Sequence, residues 1–159
     1  MRDASPSFRK KRCLSPGAPG NIMVMGTFYI GAKIENVSAR DKSVTIPKLL
    51  VDTGSEYTWV AGATLEKLGI QREKKDLAFV MANGQRITRS VGFAIVRVAQ
   101  AFTVDEVVFA EKGDMLLLGA RSLEGLNLAV DARKKKLVAA GPLPVAMKLV
   151  AAARNQPNT

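Results

Sequence analysis

The sequence predicts an all-β domain with one or two short helices. Three observations carry that expectation. Short apolar runs rich in branched and aromatic residues recur along the chain, as in Thr27-Phe28-Tyr29-Ile30 and Val104-Asp105-Glu106-Val107-Val108-Phe109. Clusters of Gly, Asn, Asp and Ser separate them at regular intervals. Helical spacing appears only in brief stretches. A chain of 159 residues is long enough for one domain with a proper core.

The elements follow in order. Residues 1–21 read as a basic, disordered leader: Arg9-Lys10-Lys11-Arg12 precedes Ser15-Pro16-Gly17-Ala18-Pro19-Gly20. The folded domain is expected over 22–147 and a frayed tail over 148–159. Gly26 to Glu35 reads as the opening strand and Asn36 to Lys42 as a polar turn. Ser43 to Val51 forms the next strand, with Pro47 marking an edge position or a bend. Tyr57 to Val60 is extended. Ala63 to Leu68, stopped by Gly69, reads as a short helix. Leu77–Met81 and Arg86–Ser90 are the arms of a hairpin with an Asn83-Gly84 turn. Val91–Val98 and Phe102–Phe109 follow as strands. Leu128–Asp131 and Lys136–Ala139 form a final hairpin around a basic turn.

Composition narrows the chemistry. The chain has no His and a single Cys, Cys13. Most nucleophilic and metal-assisted hydrolyses therefore lack their usual residues. The lone thiol argues against a disulfide framework and suits a reducing, cytoplasmic setting. A signal peptide built on the basic run and Ile22–Ile30 is the alternative, but cleavage after Ala32 would remove the first strand. No stretch of 18 apolar residues occurs, so no membrane helix is expected. Net charge is +10. The leader supplies Arg2, Arg9, Lys10, Lys11 and Arg12, and Arg133-Lys134-Lys135-Lys136 forms a second cluster. These read as solvated basic segments. Nonspecific binding of nucleic acid is the weaker reading, since no nucleic-acid motif accompanies them.

The most informative stretch is Leu49-Leu50-Val51-Asp52-Thr53-Gly54-Ser55. A continuous apolar run reads as a strand buried on both faces. It delivers a carboxylate to the edge of the core, where ionisation needs support. Gly54 permits a tight turn that brings its N–H to that carboxylate. Ser55 is placed to donate to the outer carboxylate oxygen, which would favour the ionised form and an acidic activity optimum.

Asp52-Thr53-Gly54-Ser55 after an apolar strand resembles the active-site motif of retropepsin-like aspartic proteases. Two further landmarks fall in that family's order. Val80 to Ile87 stands where the family carries its flap. Met115-Leu116-Leu117-Leu118-Gly119, then Ala120 to Leu126, resembles the late apolar pair, glycine and short helix. The resemblance covers roughly Gly26 to Val145.

It implies a retropepsin-like acid protease barrel with one lobe per chain. It also implies an aspartic endopeptidase whose site is completed by a second, identical chain. Asp52 would be one half of a catalytic dyad, supported by Thr53, Gly54 and Ser55. Met81, Ala82, Asn83 and Gly84 would form the flap over an extended peptide substrate, with Val80, Met81 and Ile87 lining apolar pockets. Leu117, Leu118 and Gly119 would brace the turn, and Glu56 would pair with Arg121. Asp114 and Asp131 are rival acids, but neither precedes Thr-Gly or Ser-Gly, and both read as turn or strand-end residues. No metal or organic cofactor is required. A non-catalytic peptide- or nucleic-acid-binding module of the same fold is the alternative.

Overall fold

The computed structural model describes residues 27–143. The expected leader (1–21), the expected tail (148–159) and the ends of the expected domain (22–26 and 144–147) lie outside them. Among the described residues nine strands and two one-and-a-half-turn helices succeed one another: β1 (Tyr29–Asn36), β2 (Ser43–Val51), β3 (Thr58–Ala61), α1 (Gly62–Lys67), β4 (Lys74–Val80), β5 (Arg86–Val98), β6 (Ala101–Ala110), β7 (Leu117–Leu118), α2 (Ala120–Gly125), β8 (Leu128–Asp131) and β9 (Lys136–Ala139). The all-β expectation holds. The hairpin arm Arg86–Ser90 and the strand Val91–Val98 are one continuous strand, because β5 is already paired with β4 up to Val91, where its ladder to β6 begins.

Seven strands form one sheet in the order β1-β2-β7-β3-β6-β5-β4. An additional β1–β5 pairing, Lys33 opposite Arg97 through Asn36 opposite Ala94, closes six of them into a barrel. Closure removes the free edges that an open sheet of this size would expose. The β4–β5 hairpin projects beyond the barrel. Hairpin β8–β9 stands as a separate two-stranded sheet, with Leu128, Val130 and Leu137 packed on the main core.

Pro47 produces the bend that its chemistry demands. The β1–β2 register slips between Ile30–Leu49 and Ala32–Ile46, giving β2 one extra residue beside Pro47. A residue without an N–H fits a bulge, where the ladder is already interrupted.

The pleat of β2 explains its apolar run. Leu49 and Val51 enter the larger cluster with Ile34, Val60, Leu65, Val96, Phe109 and Leu118. Leu50 points the other way, into a smaller cluster of Trp59, Val91, Val108 and Leu117. A strand covered on both sides has no polar face to alternate with. Truncating a fully buried side chain such as Leu118 would cost about 2–5 kcal/mol.

Candidate active site

The end of β2 is held from both sides. Val51 N–H donates to the Phe28 carbonyl at 2.9 Å, Leu50 N–H to Leu116 at 3.1 Å, and Asp52 N–H to Leu118 at 3.1 Å. Parallel pairing sets Leu50 beside Leu117 and Val51 beside Leu118. Asp52 therefore leaves a fixed rail, half-buried, at the point where the chain turns.

The turn is closed by Ser55 N–H donating to the Asp52 carbonyl at 3.3 Å. Gly54 N–H donates to Asp52 Oδ1 at 2.9 Å, as expected from the motif. A Cβ on Gly54 would stand only 3.2 Å from that oxygen, so glycine permits the approach. Thr53 is exposed on the turn. Ser55 departs from expectation. Its hydroxyl donates to the Tyr57 carbonyl at 3.0 Å rather than to the carboxylate. A near-backbone acceptor two residues on competes successfully for a serine hydroxyl.

A second loop grips the turn from beneath. Ala120 N–H donates to Ser55 O at 2.8 Å and Arg121 N–H to Glu56 O at 3.1 Å. Gly119 lies so close to the Tyr57 carbonyl that no Cβ fits there. Leu117, Leu118 and Gly119 are all buried.

Behind this contact runs a buried relay that the sequence did not announce. Gly119 N–H donates to Thr58 Oγ1 at 3.0 Å. Ser122 Oγ donates to Asp105 Oδ2 at 2.7 Å. The 2.6 Å contact between the Thr58 and Ser122 hydroxyls must then have Thr58 as donor, because Ser122 has one hydrogen. Asp105 also accepts from Glu106 N–H at 2.7 Å. Its one sequence signal is Asp105-Glu106 inside an apolar strand, where acids need partners.

The hairpin turn differs from the expected two-residue Asn-Gly form. Gly84 N–H donates to Met81 O, and Met81 N–H to Gln85 O, both at 2.8 Å. Ala82 and Asn83 are thus the central residues, and Gly84, at φ +81°, supplies a left-handed bulge. The Asn83 side chain accepts from Gln85 N–H at 2.9 Å and stabilises the bend.

Between this hairpin and the Asp52 turn lies a groove of about 630 Å³. Asp52, Gly54, Ser55, Glu56 and Tyr57 form one wall, Leu77 to Ala82 the other, and Trp59, Asp114, Met115 and Leu117 the remainder. Met81 and Ala82 therefore reach the groove, whereas Asn83 and Gly84 are not among its lining residues. Val80 lines it too. Ile87 instead packs on the smaller core cluster. Phe79 anchors the hairpin base, edge-on to Tyr57 at 5.6 Å and to Trp59 at 5.1 Å.

The rival acids are engaged elsewhere. Asp114 receives a bidentate pair from Arg89, at 2.7 Å from Nε and 2.9 Å from Nη2. This pairing holds the Asp114 carboxyl below the usual carboxylate range, against the opposing pull of partial burial. Asp131 accepts from Lys134 N–H at 3.0 Å and caps the basic turn. Arg121 is shared rather than paired: it lies 3.9 Å from Glu56, 3.7 Å from Asp105 and 3.6 Å from Glu106, over the Tyr57 ring. Among the described residues no group of three His, Cys, Asp or Glu is placed to hold a metal ion.

The family comparison bears directly on this geometry. The model of the gag-polyprotein putative aspartyl protease family matches residues 33–125. The chain belongs to this family. The matched span runs from β1 through α2 and so contains the Asp52 turn, the hairpin and the bracing loop. Among solved structures, the EIAV protease in complex with an inhibitor is similar at 15% identity and a TM-score of 0.45, over 69% of this chain and 94% of that one. A search of curated proteins found no match. The described residues form one mostly-β lobe, and membership of the family indicates an aspartic-protease-like function.

Proposed function

We propose that the protein is an aspartic endopeptidase whose site forms when two copies bring their Asp52 turns together. The observation that carries this reading is Asp52 itself. It is half-buried at the end of a doubly pinned strand, accepts from Gly54 N–H, and opens onto a groove beneath a hairpin. Of the two other acids among the described residues that line the groove, Asp114 is held by Arg89 and Glu56 is an exposed residue beside Arg121, which supports a second copy as the source of the partner carboxylate.

Two Asp52 carboxyls in contact cannot both ionise cheaply, so the pair shares one proton and titrates as a unit. The ionised member removes a proton from water, which attacks the scissile carbonyl. The neutral member donates to the carbonyl oxygen. Collapse of the tetrahedral intermediate returns a proton to the departing amine and regenerates the shared state. Thr53, exposed on the turn, ties the two turns across the dimer axis. Met81 and Ala82 close over an extended peptide, with Asn83 and Gly84 shaping the flap tip. A cytoplasmic location accompanies this reading on the strength of composition alone.

The test is digestion of casein or a peptide library across pH by the natural protein and by Asp52→Asn. Cleavage lost in the variant with fold and dimerisation intact supports the assignment, as does block by a pepstatin-like inhibitor. Equal rates overturn it.

A further inference from the structure

The groove is acidic on a protein that is strongly basic. Its lining includes Asp52, Glu56 and Asp114 and, among the described residues, no lysine or arginine. The whole chain nonetheless carries a net charge of +10. The three acids are not equivalent. Asp114 is neutralised by its bidentate bond to Arg89 and also accepts from Glu111 N–H at 2.7 Å. Asp52 belongs to the proposed chemistry. Glu56 is left over. Its side chain is 68% exposed, and Arg121, the cation nearest it among the described residues, stands 3.9 Å away and closer to two other acids.

Glu56 does not stand alone. Met115 is 56% exposed and Val80 is 69% exposed, and both line the same groove. Large apolar side chains facing a concave surface gain by being covered. Tyr57 and Phe79 continue that apolar wall. The groove thus presents, at Glu56, a weakly paired and exposed negative charge beside an apolar surface.

We propose that the groove selects an extended peptide with a lysine or arginine near the cleaved bond, next to a large apolar side chain, and that Glu56 reads the basic residue. This deepens the endopeptidase reading by naming its substrate class. In the paired site each half contributes one Glu56, so the preference acts on both flanks of the bond. An exposed ion pair contributes up to about a five-fold preference and weakens with salt.

The test uses matched octapeptides of equal apolar content that carry Lys, Gln or Glu at the flanking positions. Cleavage is followed by mass spectrometry for the natural protein, Glu56→Gln and Glu56→Lys, and binding to Asp52→Asn, with and without Glu56→Gln, is followed by fluorescence anisotropy. The expected result is a preference of about five-fold for Lys over Gln peptides. It collapses in Glu56→Gln and turns toward Glu peptides in Glu56→Lys. Cleavage indifferent to charge, or a Lys preference that survives Glu56→Gln, overturns the inference while leaving the peptidase reading standing. No cleavage together with Glu56-dependent binding of Lys peptides overturns the peptidase reading and supports the inference. Neither cleavage nor such binding overturns both.

Discussion

Replacing Ser122 with Ala should destabilise the domain far more than the loss of one surface hydroxyl would. Ser122 is fully buried. Its hydroxyl donates to Asp105 and accepts from Thr58, whose own oxygen holds Gly119 N–H. Ser122→Ala removes a hydrogen bond to a buried carboxylate, worth about 1.5–3 kcal/mol, and strands the Thr58 hydroxyl at a further 1–2 kcal/mol or so. The expected loss is about 3 kcal/mol, a Tm drop on the order of 10 °C for a domain of this size. Urea unfolding should show a lower midpoint with an unchanged m value. Thr58→Val breaks the same chain one link nearer the site. The two substitutions should couple by more than about 0.5 kcal/mol in a double-mutant cycle. A loss below about 1 kcal/mol for Ser122→Ala, with additive behaviour, would refute the relay as a structural unit.

Further outcomes follow from the same structure. Gly119→Ala forces a Cβ against the Tyr57 carbonyl, so the Asp52 turn must shift. It should lower peptidase activity at least ten-fold, roughly what 1.4 kcal/mol of misplacement gives, in a protein that still shows β-rich circular dichroism. Gly84→Ala meets no steric neighbour, but the residue keeps φ +81°. It should cost about 1 kcal/mol of hairpin stability, read as faster hydrogen exchange at Met81 and Gln85. Arg89 depresses the Asp114 carboxyl and Arg97, chiefly, depresses that of Glu35. A depressed carboxyl stabilises the fold above its unfolded-state value, and that contribution is lost as pH falls through the folded-state value. Stability should therefore decline as pH falls below the ordinary carboxylate range, about 4, and Asp114→Asn should flatten part of that decline in urea titrations.

How much of this was legible in the sequence depended on whether a residue's role is local. Leu49-Leu50-Val51 announced a doubly covered strand because a pleat sends alternate side chains into two clusters. Asp52 and Gly54 were readable because their bond spans two residues. Pro47 was readable because it lacks a donor. Ser55 was misread because a carboxylate three residues back and a carbonyl two residues on are both local candidates in sequence, and the structure shows the bond to the carbonyl. The hairpin was clear, but Asn83-Gly84 fits both a two-residue turn and a bulged one, and the Met81–Gln85 pairing decides. Arg121 does approach Glu56, as its sequence position suggested, but not exclusively. Asp105 and Glu106, distant in sequence, compete for it. The relay through Thr58, Ser122 and Asp105 joins residues up to 64 positions apart, beyond any local pattern.

The central claim is that catalysis needs Asp52 from two copies at once. It is tested most directly by mixing natural and Asp52→Asn chains in varying ratio at fixed total concentration, with free exchange between dimers, and measuring peptide cleavage. A shared site predicts activity that follows the square of the natural chain's fraction, so an equal mixture retains about a quarter of the rate, by the statistics of random pairing. Activity that falls in simple proportion to that fraction, or that persists in the pure variant, would contradict the account.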